Sequence, residues 1–313
     1  MKTKKLLAGA LILAMAAGCL SGCAAPKTET PQIDGYNLLW SDEFDGNKLD
    51  ETKWNKELRD PGWTNNELQE YTDSDKNIYV KDGCLTIQAI KTTDENGNDY
   101  YTSGKVQGQN KTDFMYGKVV ISAKVPEGQG LWPALWMMPT DESYYGQWPK
   151  CGEIDICEMG HHTGIENGTQ DRYFNGACHW GESFNNGAYP NYGQFNTADY
   201  PVQGDFHLFT LIWTEDSIAM YLDQDRFPKA EPYFQLSLRG KDINEPGHYF
   251  NHPFYLVLNL SVGGFFPAMP AAEKYPELIT ADDPSFQRVT ALPADGTPVK
   301  MYVDYIRVYE AKY

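Results

Sequence analysis

Basic residues are scarce: 26 lysines and arginines stand against 43 aspartates and glutamates, for a formal charge of -17. So acidic a chain repels phosphate backbones and anionic bilayer surfaces, which sets nucleic acid aside as a partner and favours a neutral polymer. The six cysteines contain no CxxC pair and no histidine-bearing metal spacing, so a structural zinc site is excluded. Long apolar-periodic helices, internal repeats and a second linker are also missing, which argues against an α/β layout or an array of repeats.

The one long apolar run belongs to an export leader. Lys2, Lys4 and Lys5 precede the run Leu6 to Ala17, and Leu20-Ser21-Gly22-Cys23 closes it. That tetrad resembles a bacterial lipobox, in which Cys23 is acylated and becomes the first residue of the mature chain. Residues 1–22 are therefore assigned to a lipoprotein signal peptide and 23–35, rich in Pro, Thr and Lys, to a flexible tether. The remaining 36–313 are expected to form one domain. Losing three lysines with the leader takes the charge from -17 to -20. The expected location is the extracellular face of the cell membrane, with a lipid anchor, or the medium if an ordinary signal cleavage replaces the lipobox. Cys19 leaves with the leader, so Cys84, Cys151, Cys157 and Cys178 remain, expected mostly as buried thiols with room for one bridge.

From Tyr36 the chain reads as short strands punctuated by turn residues. Ile78-Tyr79-Val80 runs into Asp82-Gly83, and further strands are expected at Cys84 to Ala89, Gly117 to Val125, Phe206 to Trp213, Ile218 to Leu222, Phe254 to Val262 and Val299 to Tyr309. A single antiparallel all-β sandwich buries one face of so many strands most simply.

Three carboxylates crowd into Gly152-Glu153-Ile154-Asp155-Ile156-Cys157-Glu158-Met159-Gly160. Alternation in its first half predicts a strand with Glu153 and Asp155 on one face and Ile154 and Ile156 on the other. Regular alternation would turn Glu158 to the wrong face, and a one-residue bulge near Ile156-Cys157 returns it. At about 3.3 Å per residue the two Glu backbones are then ~13 Å apart, and inward-leaning side chains bring the carboxyls to ~5 to 7 Å, the spacing of a retaining glycosidase. A solvent-facing acidic edge is the plain alternative. Against it, no basic residue lies between the three charges, so their repulsion raises at least one pKa and forces a proton to be shared.

Motifs along nearly the whole chain carry a resemblance. They are Trp40-Ser41-Asp42-Glu43-Phe44, Asn65-Asn66-Glu67-Leu68-Gln69, Asp82 to Ile87, Leu131-Trp132-Pro133-Ala134-Leu135-Trp136-Met137, the Glu153 to Glu158 run, Asn259 to Gly264, and Val303 to Tyr309. In order and spacing the chain resembles glycoside hydrolase family 16, nearest its bacterial laminarinases. The resemblance implies a β-jelly-roll sandwich of two curved antiparallel sheets, concanavalin A-like, with a cleft along the concave sheet. It implies retaining endo-hydrolysis of β-1,3-glucan by a monomer with no cofactor for catalysis. Glu153 would be the nucleophile, Glu158 the general acid and base, and Asp155 the helper between them. Five residues from Glu to Glu match the laminarinase-like branch, whereas a spacing of four typifies lichenase-like relatives. A mixed-linkage β-1,3/1,4-glucanase, a galactanase and a non-catalytic glycan-binding lipoprotein are the alternatives.

Sugar rings present flat apolar faces, so aromatic platforms are expected in the cleft. Trp132, Trp136 and Trp148 are assigned to it, Trp40, Trp54 and Trp213 to the core, and Trp63 and Trp180 stay open. The resemblance adds Asn65, whose amide both donates and accepts, and His179, on the strand expected beside the catalytic one. Glu67 and Glu70 are placed at the cleft border. Ser103-Gly104-Lys105 departs from the family's Ser-Gly-Arg and loses the forked guanidinium donor set. Tyr144 to Gln147 and Ala271 to Pro298 match no family pattern and would shape subsites. Finally, the resemblance implies a structural calcium on the convex side, held by Glu43, the Gly83 carbonyl and Asp304, with a surface ion pair as the alternative.

Overall fold

The structure is a computed structural model that describes residues 30–182, 191–268, 289 and 291–312. The leader, Cys23, most of the tether and most of 271–298 lie outside the described residues.

Two sheets face each other. One is formed by β2 (Asn55–Lys56), β7 (Lys105–Gln107), β16 (Phe254–Val262), β9 (Leu131–Pro139), β10 (Glu153–Met159), β11 (Tyr173–His179) and β12 (Asn191–Thr197), hydrogen-bonded in that spatial order. Opposite it run β15 (Phe234–Ser237), β14 (Ser217–Leu222), β13 (His207–Trp213), β8 (Gly117–Lys124), β17 (Val299–Ala311), β5 (Cys84–Thr93), β6 (Asp99–Ser103) and β3 (Gln69–Tyr71), with β1 (Tyr36–Asp42) on β17 and β4 (Ile78–Lys81) on β5. Pairing among these strands is antiparallel except between β3 and β6. Among the described residues helix is confined to the short α1 (His162–Glu166), α2 (Pro246–Tyr249) and α3 (Phe265–Ala268). This is the all-β jelly roll expected from the sequence.

Period-two alternation sorts each strand between core and cleft. On β16, Leu256, Leu258, Leu260 and Val262 enter the core, and on β9 Leu131, Leu135 and Met137 do the same. They meet Val119, Ile121 and Ala123 of β8, Phe209, Leu211 and Trp213 of β13, and Val303, Ile306 and Val308 of β17. Each such side chain contributes roughly 1.5–3 kcal/mol by leaving water, and truncating Leu258 to Ala would cost about 2–5 kcal/mol. The alternate residues of β9, β10, β11 and β16 face the other way, into the concave surface.

Candidate active site

The predicted bulge lies at Ile156. Asp155 is opposite Trp136 on β9, yet Cys157 is opposite Leu135, so β10 gains one residue on its neighbour between them. Against β11 the pairs Asp155 with Ala177 and Glu158 with Asn175 show the same shift. Ile156 and Cys157, consecutive in sequence, both enter the core, which a regular strand forbids. Parity is thereby reset, and Glu158 joins Glu153 and Asp155 on the concave face.

Indole N–H groups hold both glutamates. Trp148 Nε1 donates to Glu153 Oε2 at 2.8 Å, and Trp132 Nε1 donates to Glu158 Oε1 at 2.9 Å. Asn175 Nδ2 donates to the other Glu158 oxygen at 3.1 Å. His179 is opposite Glu153 in register, with Nε2 3.1 Å from Asp155 Oδ2, and Glu153 and Asp155 are hydrogen-bonded to each other. Burial, and after it the neighbouring Asp155, pushes Glu153 up to about 8. Burial and then the Glu158 charge push Asp155 well above the usual carboxylate range. The Glu153 and Asp155 pair therefore retains a proton near neutrality.

Trp132 plays a different part from an open platform. Phe266 stacks flat on its ring, with centroids 4.8 Å apart and planes 8° apart, so one face of the indole is covered. Trp136 donates Nε1 to Asn259 Oδ1 at 2.6 Å. Trp40, Trp54 and Trp213 pack in or against the core, as does Trp180, while Trp63 is half exposed. Lys105 Nζ sits 4.7 Å from the Trp63 ring centre and 5.0 Å from that of Trp136, and 3.3 Å from Glu57 Oε1. A single ammonium thus fills a slot between two indoles, where a planar guanidinium fork is not required.

Asn65 and Asn66 adopt left-handed backbone conformations, φ 52° and 53°, which Asn tolerates better than most residues. Asn65 Nδ2 donates to Glu67 Oε1 at 3.3 Å, and Gln69 Nε2 donates to Glu67 Oε2 at 2.8 Å. Glu67 is buried rather than at the rim, and burial raises its pKa. Tyr71 Oη lies 3.3 Å from Glu67, 2.7 Å from Ser261 Oγ and 3.0 Å from Asn259 Nδ2, which ties the Asn65 loop to Trp136 on the cleft floor. Glu70 is exposed on β3, away from this network.

Asn175 escaped the sequence reading. Counting back from His179 in twos along one strand gives Ala177 and Asn175, so the alternation already marked it. The calcium donor set also changes. Both Glu43 oxygens accept from Arg307, Nε at 2.9 Å and Nη2 at 2.8 Å, and a carboxylate in a bidentate guanidinium pair is a poor cation ligand. Glu43 therefore does not fit, and only Asp304 and the Gly83 carbonyl of the expected set remain. Cys151, Cys157 and Cys178 are free buried thiols, as expected of most of the four.

A jelly roll whose concave sheet presents two indole-bound glutamates with a carboxyl between them is built as a glycoside hydrolase. The chain matches the profile of glycosyl hydrolases family 16 over residues 65–234, and it belongs to that family. It is 38% identical over 294 residues to a glucan endo-1,3-beta-glucosidase A1 of Niallia circulans, covering 90% of this chain and 39% of that protein. The chain thus spans about two fifths of that relative's length. The laminarinase catalytic domain of Thermotoga petrophila superposes with TM-score 0.65 at 34% identity, covering 90% of this chain and 100% of the other. A Bacteroides ovatus mixed linkage glucan family 16 protein, in complex with a G4G4G3G product, superposes with TM-score 0.69 at 31% identity over 87% of this chain and 100% of its own.

Proposed function

We propose that the protein hydrolyses β-1,3-glucan internally, with retention of anomeric configuration. Glu153, ionised by passing the shared proton to Asp155, attacks the anomeric carbon as the glycosidic C–O bond breaks and Glu158 protonates the departing oxygen. In the second step Glu158 takes a proton from water, the water oxygen bonds to the anomeric carbon, and the ester to Glu153 breaks. Trp148 and Asp155 donate hydrogen bonds to the Glu153 carboxylate, while Trp132 and Asn175 fix both oxygens of Glu158. His179 orients Asp155, and Asn65, Trp136 and Trp148 line the path of the glucan. No cofactor enters the chemistry.

The observation that carries this reading is the bulge at Ile156, which turns two glutamates five residues apart to one face. Proton NMR of laminarin digestion tests it: the first-formed reducing end is expected as the β-anomer, and an α-anomer would end the proposal. A preference for mixed β-1,3/1,4-glucan is the second reading, favoured by the likeness to the Bacteroides ovatus protein. Parallel digests of laminarin and lichenan separate the two. The mature chain is proposed to act as a monomer tethered at the extracellular face through acylated Cys23, and a Cys23→Ala variant should move it from the membrane fraction to the medium. Among the described residues no helix is long and apolar enough to cross a membrane. A structural calcium would draw on Asp304 and the Gly83 carbonyl, and it should appear as a Tm loss on chelation that Asp304→Ala abolishes.

A further inference from the structure

The bulge leaves a buried carbonyl outside both ladders, and a side chain from beyond the opposite edge takes it. Ile156 pairs with neither β9 nor β11, and Tyr233 Oη donates to its carbonyl oxygen. Tyr233 stands one residue before β15, and its own backbone is fixed on two sides. Its N–H donates to Met220 O of β14 at 2.9 Å, and its carbonyl accepts from Asn196 Nδ2 of β12 at 3.0 Å. The ring then meets Phe174 of β11 edge-on, with centroids 5.0 Å apart, on its way to the bulge. Burial raises the phenol well above its ordinary range, so it remains an O–H donor throughout the working pH range.

Gly176 gives an independent sign of the same contact. With Ala177 opposite Asp155 and Asn175 opposite Glu158, Gly176 is the β11 residue that faces the bulged segment. A Cβ at this position would come within 2.7 Å of Met220 Sδ, 3.0 Å of Phe234 Cβ and 3.1 Å of Tyr233 Cε2. The glycine clears the channel through which the tyrosine reaches Ile156.

We propose that Tyr233 is a positioning residue for Glu158: its hydroxyl holds the bulge at Ile156 and so keeps the acid/base carboxyl on the face that carries Glu153. This rests on the reading of Glu158 given above. A buried carbonyl without its donor turns toward another partner, and turning the Ile156–Cys157 peptide swings Glu158 off Trp132 and Asn175. Glu153 precedes the bulge and stays where it is. Loss of the Tyr233 hydroxyl should therefore injure proton transfer and spare nucleophilic attack.

Tyr233→Phe, which keeps the ring, is tested on laminarin and on a β-1,3-gluco-oligosaccharide carrying a dinitrophenolate leaving group. On laminarin, kcat is expected to fall about 10- to 100-fold with KM within about twofold, because general acid–base catalysis and its alignment are lost in part. On the aryl substrate the pre-steady-state burst should keep its wild-type rate constant, since dinitrophenolate departs without a proton, while steady-state turnover slows. Azide, which attacks the glycosyl-enzyme without a base, should restore that turnover. Gly176→Ala displaces the ring from the other side and should reproduce the pattern, and it carries the comparison if Tyr233→Phe does not fold. Equal losses of burst and turnover, no azide rescue, or an unchanged kcat on laminarin would overturn the proposal. A wild-type protein that releases nothing from laminarin and shows no burst would instead overturn the reading of the site.

Discussion

Glu153 does two incompatible jobs: it must ionise to attack, yet it sits where ionisation is penalised by burial and by Asp155. Glu153→Gln should lower turnover at least about 10³-fold by removing the nucleophile, while laminari-oligosaccharide binding by calorimetry persists. The same change should raise Tm, since an amide carries no charge to bury. Asp155→Asn separates the two causes of the Glu153 shift. It removes the neighbouring charge and leaves the burial, so Glu153 titrates lower though still above an ordinary glutamate, and the acidic limb of kcat/KM should move to lower pH. Turnover should drop about 10- to 100-fold as the proton-sharing partner is lost, and a pH profile of the variant checks both effects. At this scale the sequence was legible through residue type and periodicity for the three carboxylates, and through the family resemblance for His179. It was not legible for Trp132, because the covering Phe266 comes from α3, more than a hundred residues away. Nor did it show Glu43 paired with Arg307, a contact that only the β1 and β17 pairing creates.

A strand with an odd residue is the element on which the site depends. Parity alone foretold the bulge, because five residues from Glu153 to Glu158 cannot share a face in a regular strand. What holds the bulge was hidden, since Tyr233 and Gly176 approach it from segments with no sequence signature linking them to Ile156. Deleting Ile156 tests the parity argument. The shortened strand has Glu, Asp and Glu at alternate positions, so both glutamates should stay on one face without any bulge, and retaining hydrolysis should persist within about 100-fold of wild type. Deleting Ile154 instead inverts Glu153 relative to the rest of β10 and should abolish turnover. Reducing-sugar release by the two deletion variants, each checked for fold by circular dichroism, compares them; equal inactivity in folded proteins would contradict the argument.

Across the whole molecule, two buried groups bend the stability curve in opposite directions. His252 lies under the loop that carries Trp148, stacked on Tyr144 with centroids 4.9 Å apart and beside Phe254 at 5.0 Å, and burial depresses its pKa to about 4. An unfolded histidine binds its proton near pH 6.5, so between about 6.5 and 4 unfolding takes up a proton and stability is lost as pH falls. Glu153 acts with the contrary sign. Its folded pKa of about 8 lies above the unfolded value of 4.5, so across that window unfolding releases a proton and stability is lost as pH rises. Each limb is worth about 1–3 kcal/mol once solvent relaxation is allowed for; the two slopes cancel where their windows overlap, which leaves a broad Tm maximum spanning about pH 4.5 to 6.5. Removing one limb should shift the maximum toward the side that has been relieved. Glu153→Gln should move it to higher pH and His252→Phe to lower pH, read from thermal melts between pH 4 and 9. If the maximum stayed fixed in both variants, the slope would belong to the remaining acidic surface of this -17 chain rather than to its buried groups.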